Sequence, residues 1–178
     1  WVSSDSKKIL DFSKKMGAKI LKRSKRNSSD AASSEKAWLE SVKQIELKYQ
    51  KKIDIIVGVQ PTSPIKTGTD FDNAIKIFKK DKLDSLFTST LINDYCVWSK
   101  KINKFSAKYN FKNRKRRQNI DSKYLENGSF YIFETSKFKK NKNRLFGKIG
   151  TYVQNKIKSF QIDNYEDIFI IDSIFKNK

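Results

Sequence analysis

Histidine is absent from all 178 residues. That single absence removes Ser-His-Asp catalysis, imidazole proton shuttles and histidine metal ligands. One cysteine, Cys96, cannot close an internal disulfide or build a structural zinc site. It fits a reducing compartment, and the expected location is cytoplasmic. Proline is nearly missing, with Pro61 and Pro64 the only two. No apolar run approaches the ~18 residues of a bilayer-spanning helix, and the N-terminus shows no signal-peptide pattern, so no membrane partner is expected. The first residue is Trp1, so a segment upstream of it is expected. Acidic residues are scarce: 19 stand against 39 basic ones, for a net charge of +20 and a pI near 9.9.

What is present describes one domain over residues 1–178. Hydrophobic residues make up 37% of the chain and aromatic ones 13%, enough for a single core burying roughly 70% of the unfolded surface. A charge of +20 points first to nucleic acid. Yet only six of the basic residues are arginine, whereas base and phosphate readers favour the arginine fork. The lysines are also spread along the whole chain among many Ile and Asn, in the manner of an AT-rich genome. The one dense run is Lys112-Asn113-Arg114-Lys115-Arg116-Arg117, and such runs are commonly solvated loops. Nucleic acid is therefore not the expected partner. Nucleotides and acidic sugars suit the same charge.

Strands and helices alternate. Trp1 to Ser3 reads as the end of a strand. Ser4 or Asp5 then caps a helix with an apolar face of Ile9, Phe12, Ser13 and Met16, closed by Gly17. Ala18 to Leu21 is a short strand, and Arg23 to Ser34 a polar loop. Trp38, Val42, Ile45 and Tyr49 recur at helical spacing. Ile53 to Val59 is nearly all β-branched, the pattern of a strand buried on both faces of a parallel sheet. Phe71, Ala74, Ile75 and Phe78 mark a helix, and Asp84 to Thr90 a strand. From Tyr95 to about Tyr124 the pattern is irregular and basic, an insertion. Strands at Ser129 to Phe133 and Lys148 to Val153 follow, then a helix from Asn164 to Phe175 presenting Ile168, Ile171 and Phe175. The alternation predicts an α/β fold with a mainly parallel sheet.

Three loops collect polar residues suited to chemistry. In Arg23 to Ser34, Ser33 or Ser34 caps a helix whose first N–H groups either face water or hold a phosphate or base edge. Gln60-Pro61-Thr62-Ser63-Pro64 follows a buried strand, where open α/β sheets bind ligands; its prolines either make a tight turn or hold Gln60 ready for a ligand. In Gln161 to Asp167, Asp163 and Glu166 have capping-box spacing. The same stretch could hold Mg²⁺, which takes only one or two carboxylates and completes its shell with water and phosphate.

Together these loops resemble the acylneuraminate cytidylyltransferases. VSSDS and KRSKRNSSDAASSE are similar to the family's VSTDS and RP-x-x-L-A-x-D-T-A-S-S-E. VGVQPTSPIKTGTDFDNAI is similar to LLQPTSPLR and the I-D-x-A helix after it. RRQNIDSKYLENGSFYIF resembles the RxRQ…ENGaiYI segment, NRLFGKIG resembles N-R-x-G-G-K-I, and FQIDNYEDI stands at the acidic D-I-D-[ST]-x-x-D motif. The resemblance is collinear over essentially the whole chain.

It implies a Rossmann-like fold of the nucleotide-diphospho-sugar transferase type, with a dimerisation insertion at about 95–128. It implies an enzyme that joins CMP from CTP to a nine-carbon α-keto sugar acid, sialic acid or a relative such as legionaminic acid. By resemblance Arg23 contacts the nucleotide, and the Ala32 backbone and Ser34 read the cytosine edge. Gln60, Arg117, Asn127 and Tyr131 line the sugar pocket, and Asp163 holds Mg²⁺; Asp163 and Arg117 are the expected catalytic pair. A homodimer is implied, with the partner subunit completing each site. Two departures stand out. The family's opening strand and its A-R-x-G-S-K phosphate loop have no match here, so a truncated chain without activity is expected. Gln161 replaces the first acid of the D-x-D motif, which predicts weaker metal binding. Alternatives are an eight-carbon (KDO-type) cytidylyltransferase, an inactive remnant and, more distantly, a lysine-rich nucleic-acid-binding module.

Overall fold

The period-two and period-3.6 stretches become eight strands and five α-helices among the described residues. The computed structural model describes all residues except Asp30, 93–95 and Lys178, and for Arg117 the backbone alone. In chain order these are β1 (Val2–Ser4), α1 (Lys7–Lys15), β2 (Ile20–Lys22), α2 (Ser34–Tyr49), β3 (Ile55–Val59), α3 (Gly68–Lys80) and β4 (Ser85–Ile92). Then come β5 (Trp98–Lys101), β6 (Lys104–Ala107), β7 (Lys123–Glu134), α4 (Thr135–Asn141), β8 (Ile149–Gln154) and α5 (Tyr165–Lys176). The class is α/β with a mainly parallel sheet. β1 and β2 pair in parallel from Val2↔Ile20 to Ser4↔Lys22. A four-stranded sheet has the order β3-β7-β4-β8, and β7 runs antiparallel to β3 from Ile55↔Glu134 to Val59↔Phe130.

Two compact units form. The first comprises Trp1–Val59, Phe71–Leu86 and Phe130–Gly150, and its core is aromatic. Phe130, Ile132, Phe133 and Phe138 are fully buried. Phe133 packs 4.4 Å from Phe138 and 5.6 Å from Trp38, and Phe71 lies 4.7 Å from Phe130, centroid to centroid. Each such ring removed from water contributes about 1.5–3 kcal/mol. The strand covered on both faces is thus β7, whose Phe130 to Phe133 are all buried, whereas β3 is mostly half-buried. Position explains the exchange: β7 lies between two strands, and β3 has β7 as its described partner.

Glycine is required at two places in this unit. A Cβ on Gly58 would stand 2.7 Å from the Trp38 ring. Gly147 has φ +61° and would drive a Cβ to 2.2 Å from Asp84 Oδ2, the oxygen that accepts from the Lys148 N–H at 2.6 Å. α1 differs from expectation. Its N-cap is Ser6, and Leu10 is the residue it buries, while Ile9, Phe12 and Met16 face outward. The helix packs on β1 and β2, and that packing, not the apolar stripe, selects the buried position. The helix α4 had no counterpart in the sequence reading.

The second unit comprises Gln60–Asp70, Phe87–Ser129 and Thr151–Lys178, and much of what it buries is polar. Asp70 is the hub at the start of α3. It receives Lys158 Nζ at 2.6 and 2.7 Å, the Thr67 N–H and hydroxyl at 2.8 Å each, and the Tyr152 hydroxyl at 3.2 Å. Burial alone would raise this carboxyl, but the bonds from Lys158 and Thr67 outweigh it and hold it below its ordinary value. In the expected insertion, residues 98–107 form an antiparallel hairpin, β5 with β6, and 123–128 already belong to β7. The insertion's first residue, Tyr95, lies outside the described residues. At α5 the N-cap is Asn164, and the capping box pairs Asn164 with Asp167 rather than Asp163 with Glu166. Ile171 is its buried position, while Ile168 and Phe175 are exposed. Among the described residues no helix is long and apolar enough to cross a membrane.

Two stability measurements follow. Gly58→Ala overpacks the Trp38 ring and should cost about 1–3 kcal/mol in urea unfolding. Asp70→Asn should be less stable than the parent at neutral pH. Because the folded carboxyl titrates below its unfolded value near 3.8, that gap is fully present above this pH and closes as pH falls through the folded value. A gap that does not change between pH 7 and pH 2.5 would refute the ion-pair account.

Candidate functional site

The loop after β2 is bound to the elements around it. The Arg23 N–H donates to the Ser4 carbonyl at 2.9 Å. Its guanidinium folds back onto Ser3, with Nε 3.3 Å from the hydroxyl and Nη2 on the carbonyl. Glu40, one face along α2, collects the Ser24 N–H at 2.9 Å, the Ser24 hydroxyl at 3.0 Å and the Asn27 amide at 2.6 Å. The Ala32 N–H closes a turn onto the Ser29 carbonyl at 2.8 Å. Ser33 caps α2, its hydroxyl accepting from the Lys36 N–H. Ser34 opens the helix and is half-buried.

Glu35 follows Ser34 and pairs with Arg144 through Nε. The Arg144 guanidinium stands 5.1 Å from the Trp38 ring centroid and 4.8 Å from that of Tyr131. The two rings pack on each other at 6.3 Å, and the guanidinium lies beside both of them, a favourable setting for a planar cation. Burial works to raise the Glu35 carboxyl, but bonds from Arg144 and from its own backbone hold it below the ordinary carboxylate range. Tyr131 is itself buried. Neither Glu35 nor Arg144 was singled out in the sequence. The signal was available in Glu35 itself, an acid in the first turn of α2 directly after the capping serines.

In the second unit, hydrogen bonds bring three sequence-predicted segments together. The Gln60 N–H donates to the Ser129 carbonyl at 3.1 Å. The Ile162 N–H donates to the Thr62 carbonyl at 2.8 Å. Gln161 Nε2 donates to the Asn127 carbonyl at 2.7 Å. The QPTSP loop, the ENGS stretch and the acidic segment before α5 thus meet at one place. Asn127 is at the centre, fully buried. Its amide donates to Gln154 Oε1 at 3.0 Å and to the Ser159 hydroxyl at 3.3 Å, and its Oδ1 accepts from the Ser129 N–H at 3.3 Å. Gly128, at φ +63°, makes the bend that turns this amide inward, and Gln161 lies against it.

This cluster also holds polar groups without partners. The hydroxyls of Ser63 and Ser129 and the Gln154 Nε2 are buried and make no hydrogen bond among the described residues. Lys66 donates to the Gln60 carbonyl at 2.8 Å and to that of Ser129 at 3.2 Å. Burial pushes its ammonium down to about 8. Both serines are fully buried, so their hydroxyls face the interior of the unit, and Lys66 is satisfied by backbone carbonyls.

Asp163 is exposed, and its N–H donates to Asp167 Oδ2 at 2.9 Å. Arg117 begins a 3-10 turn, Arg117–Asn119, and its side chain lies outside the described residues. Among the described residues no group of three or more His, Cys, Asp or Glu could hold a metal. Gln161 turns its amide nitrogen to a carbonyl and offers no carboxylate. Of the motif's two acidic positions, Asp163 alone presents a carboxylate, and it is exposed to solvent.

A cytidylyltransferase family profile matches residues 1–176. N-acylneuraminate cytidylyltransferase A of Danio rerio is 30% identical over 138 residues, which is 74% of this chain and 30% of that protein. N-acylneuraminate cytidylyltransferase of Oncorhynchus mykiss is 31% identical over 138 residues, 75% of this chain and 31% of that protein. The chain thus spans about a third of the length of these relatives. Two solved structures share the fold. A 4-diphosphocytidyl-2C-methyl-D-erythritol synthase from Anaerococcus prevotii superposes with a TM-score of 0.62 at 12% identity, over 97% of this chain and 77% of that one. A CMP:2-keto-3-deoxy-manno-octonic acid synthetase complexed with CTP gives 0.63 at 10% identity, over 99% and 80%. With the profile matching nearly end to end, the chain belongs to the cytidylyltransferase family.

Proposed function

We propose that the protein transfers CMP from CTP to a nine-carbon α-keto sugar acid, sialic acid or a relative such as legionaminic acid. The observation that carries this proposal is the meeting of the Gln60, Asn127 and Gln161–Asp163 segments through direct hydrogen bonds. Sequence likeness to N-acylneuraminate cytidylyltransferases supports the nine-carbon class.

In the proposed reaction the anomeric hydroxyl oxygen attacks the α-phosphorus of CTP. The bond from that phosphorus to the bridging oxygen breaks, pyrophosphate leaves, and the hydroxyl proton passes to solvent. Such a step needs positioning and charge neutralisation more than covalent chemistry. Arg23 is assigned to the nucleotide, with the Ala32 backbone and Ser34 reading the cytosine edge. Cytosine presents an amino donor and a carbonyl acceptor, which a backbone group and a hydroxyl can match. Gln60, Asn127 and Tyr131 are assigned to the sugar, and Arg117 to its carboxylate. Asn127 acts from within its buried bonds, as a frame for the pocket wall. Mg²⁺, held by Asp163, would supply positive charge at the phosphates.

We further propose a homodimer in the cytoplasm. The β5–β6 hairpin supports pairing: Trp98, Phe105 and Phe111 are exposed, and Trp98 packs against Tyr109 and Phe111. Exposed aromatics on a small protein commonly mark an interface.

Pyrophosphate release from CTP with a panel of eight- and nine-carbon sugar acids, and UTP as control, tests the activity. Release with UTP equal to that with CTP would overturn the base assignment. Arg117→Ala should raise the sugar KM far more than the CTP KM; equal losses would sink its role. Asp163→Asn should lower kcat by about a hundredfold or more if it ligates metal, and by less than about tenfold if it only supports the start of α5. Gln161→Asp should tighten Mg²⁺ saturation while loosening the Asn127 turn, read together as a lower magnesium requirement and a lower Tm.

A further inference from the structure

Arg144 is one of only six arginines in a chain that otherwise uses lysine for positive charge. Its site makes use of what lysine lacks. The guanidinium lies 5.1 Å from the Trp38 centroid and 4.8 Å from the Tyr131 centroid, while Nε binds Glu35. Its side chain is 23% exposed and that of Glu35 is 13% exposed, so the pair is largely out of water. An aliphatic side chain would cover the packed Trp38–Tyr131 pair without desolvating a charge. What the ion pair adds over such a filler is orientation. One end grips Glu35, the residue after Ser34 in the first turn of α2. The flat face rests on Tyr131 of β7. Neither contact can shift without loosening the other.

We propose that Arg144 is a positioning residue that ties the first turn of α2 to Tyr131, so that nucleotide reading and sugar seating depend on one guanidinium. This rests on the assignment of Ala32 and Ser34 to cytosine and of Tyr131 to the sugar. The two contacts differ in kind, and that difference makes the idea separable from simple packing. Glu35 needs a nearby positive charge, which an ammonium can supply. Tyr131 takes both the guanidinium beside its ring and a hydrogen bond with it, and one ammonium that holds Glu35 cannot supply both as well.

The test is steady-state kinetics of the full-length protein with Arg144→Lys, Arg144→Met and Glu35→Gln, beside thermal unfolding. Arg144→Lys should leave the CTP KM within about threefold and raise the sugar KM about tenfold, because it keeps the charge and loses the stacked plane. Arg144→Met should raise both KM values about tenfold, with kcat within about threefold. Glu35→Gln should raise the CTP KM more than the sugar KM. If the variants lower Tm and leave both KM values within about twofold of the parent, Arg144 only packs and the proposal is overturned. Should Arg144→Met fail to fold, the split in Arg144→Lys decides alone, and an equal change in its two KM values overturns the proposal. A parent protein that releases no pyrophosphate from CTP with any sugar acid overturns the assigned function, and this proposal with it. Parent turnover without the split removes only the coupling.

Discussion

A single buried amide organises the second unit. Asn127 sits at a bend of β7 that Gly128 permits, and its side chain and backbone engage Gln154, Ser159, Ser129 and Gln161. An amide can do this because it carries donors and acceptors on the same small group. Once it is out of water, each of those bonds is costly to leave unmade. The residues around it are therefore held to one arrangement. The segments that carry Gln60 and Asp163 inherit that arrangement through short backbone bonds to Ser129 and Thr62. A polar core of this kind specifies geometry more sharply than an apolar one, and hydrocarbon contacts alone would tolerate sliding.

Charge follows a second constraint. With 39 basic residues against 19 acidic ones, a carboxylate withdrawn from water readily finds a cation. Asp70 has Lys158, Glu35 has Arg144, and Glu46 has Lys139. In each, bonds to the charged form hold the carboxyl below its ordinary value. The reverse holds for lysine, since there are too few acids to go round. Lys66 rests instead on two backbone carbonyls, and burial lowers its pKa.

Much of the element order was legible. The helix of Trp38, Val42 and Ile45 appears as α2, capped by Ser33, and that of Ala74 and Phe78 as α3. Local periodicity and caps depend on neighbours three or four residues away, so they can be read in a line of text. Errors arose where a distant segment chose the outcome. Ile9, Phe12 and Met16 form a good apolar stripe, yet α1 buries Leu10. The β-branched run of β3 looked like the most covered strand, and β7 proved to be so. The hairpin β5–β6 was hidden by its lysines, which obscured the alternation. At α5, Asn164 took the cap from Asp163 because Asp167 reaches back to the Asn164 N–H.

The sequence by itself determined the family, the α/β class, the location of the loops and the types of residue at their tips. Motifs such as QPTSP and ENGSFYI are strings of adjacent residues, and a string survives without coordinates. The tertiary structure alone decided which strings meet. It placed Gln161 on the Asn127 carbonyl, where the motif suggested a metal. It set Arg144 beside the packed pair of Trp38 and Tyr131, more than a hundred residues after its partner Glu35. Such pairings depend on sheet order and on loop closure over long stretches of chain. No local pattern encodes them, because their energy is gained only after the chain has folded.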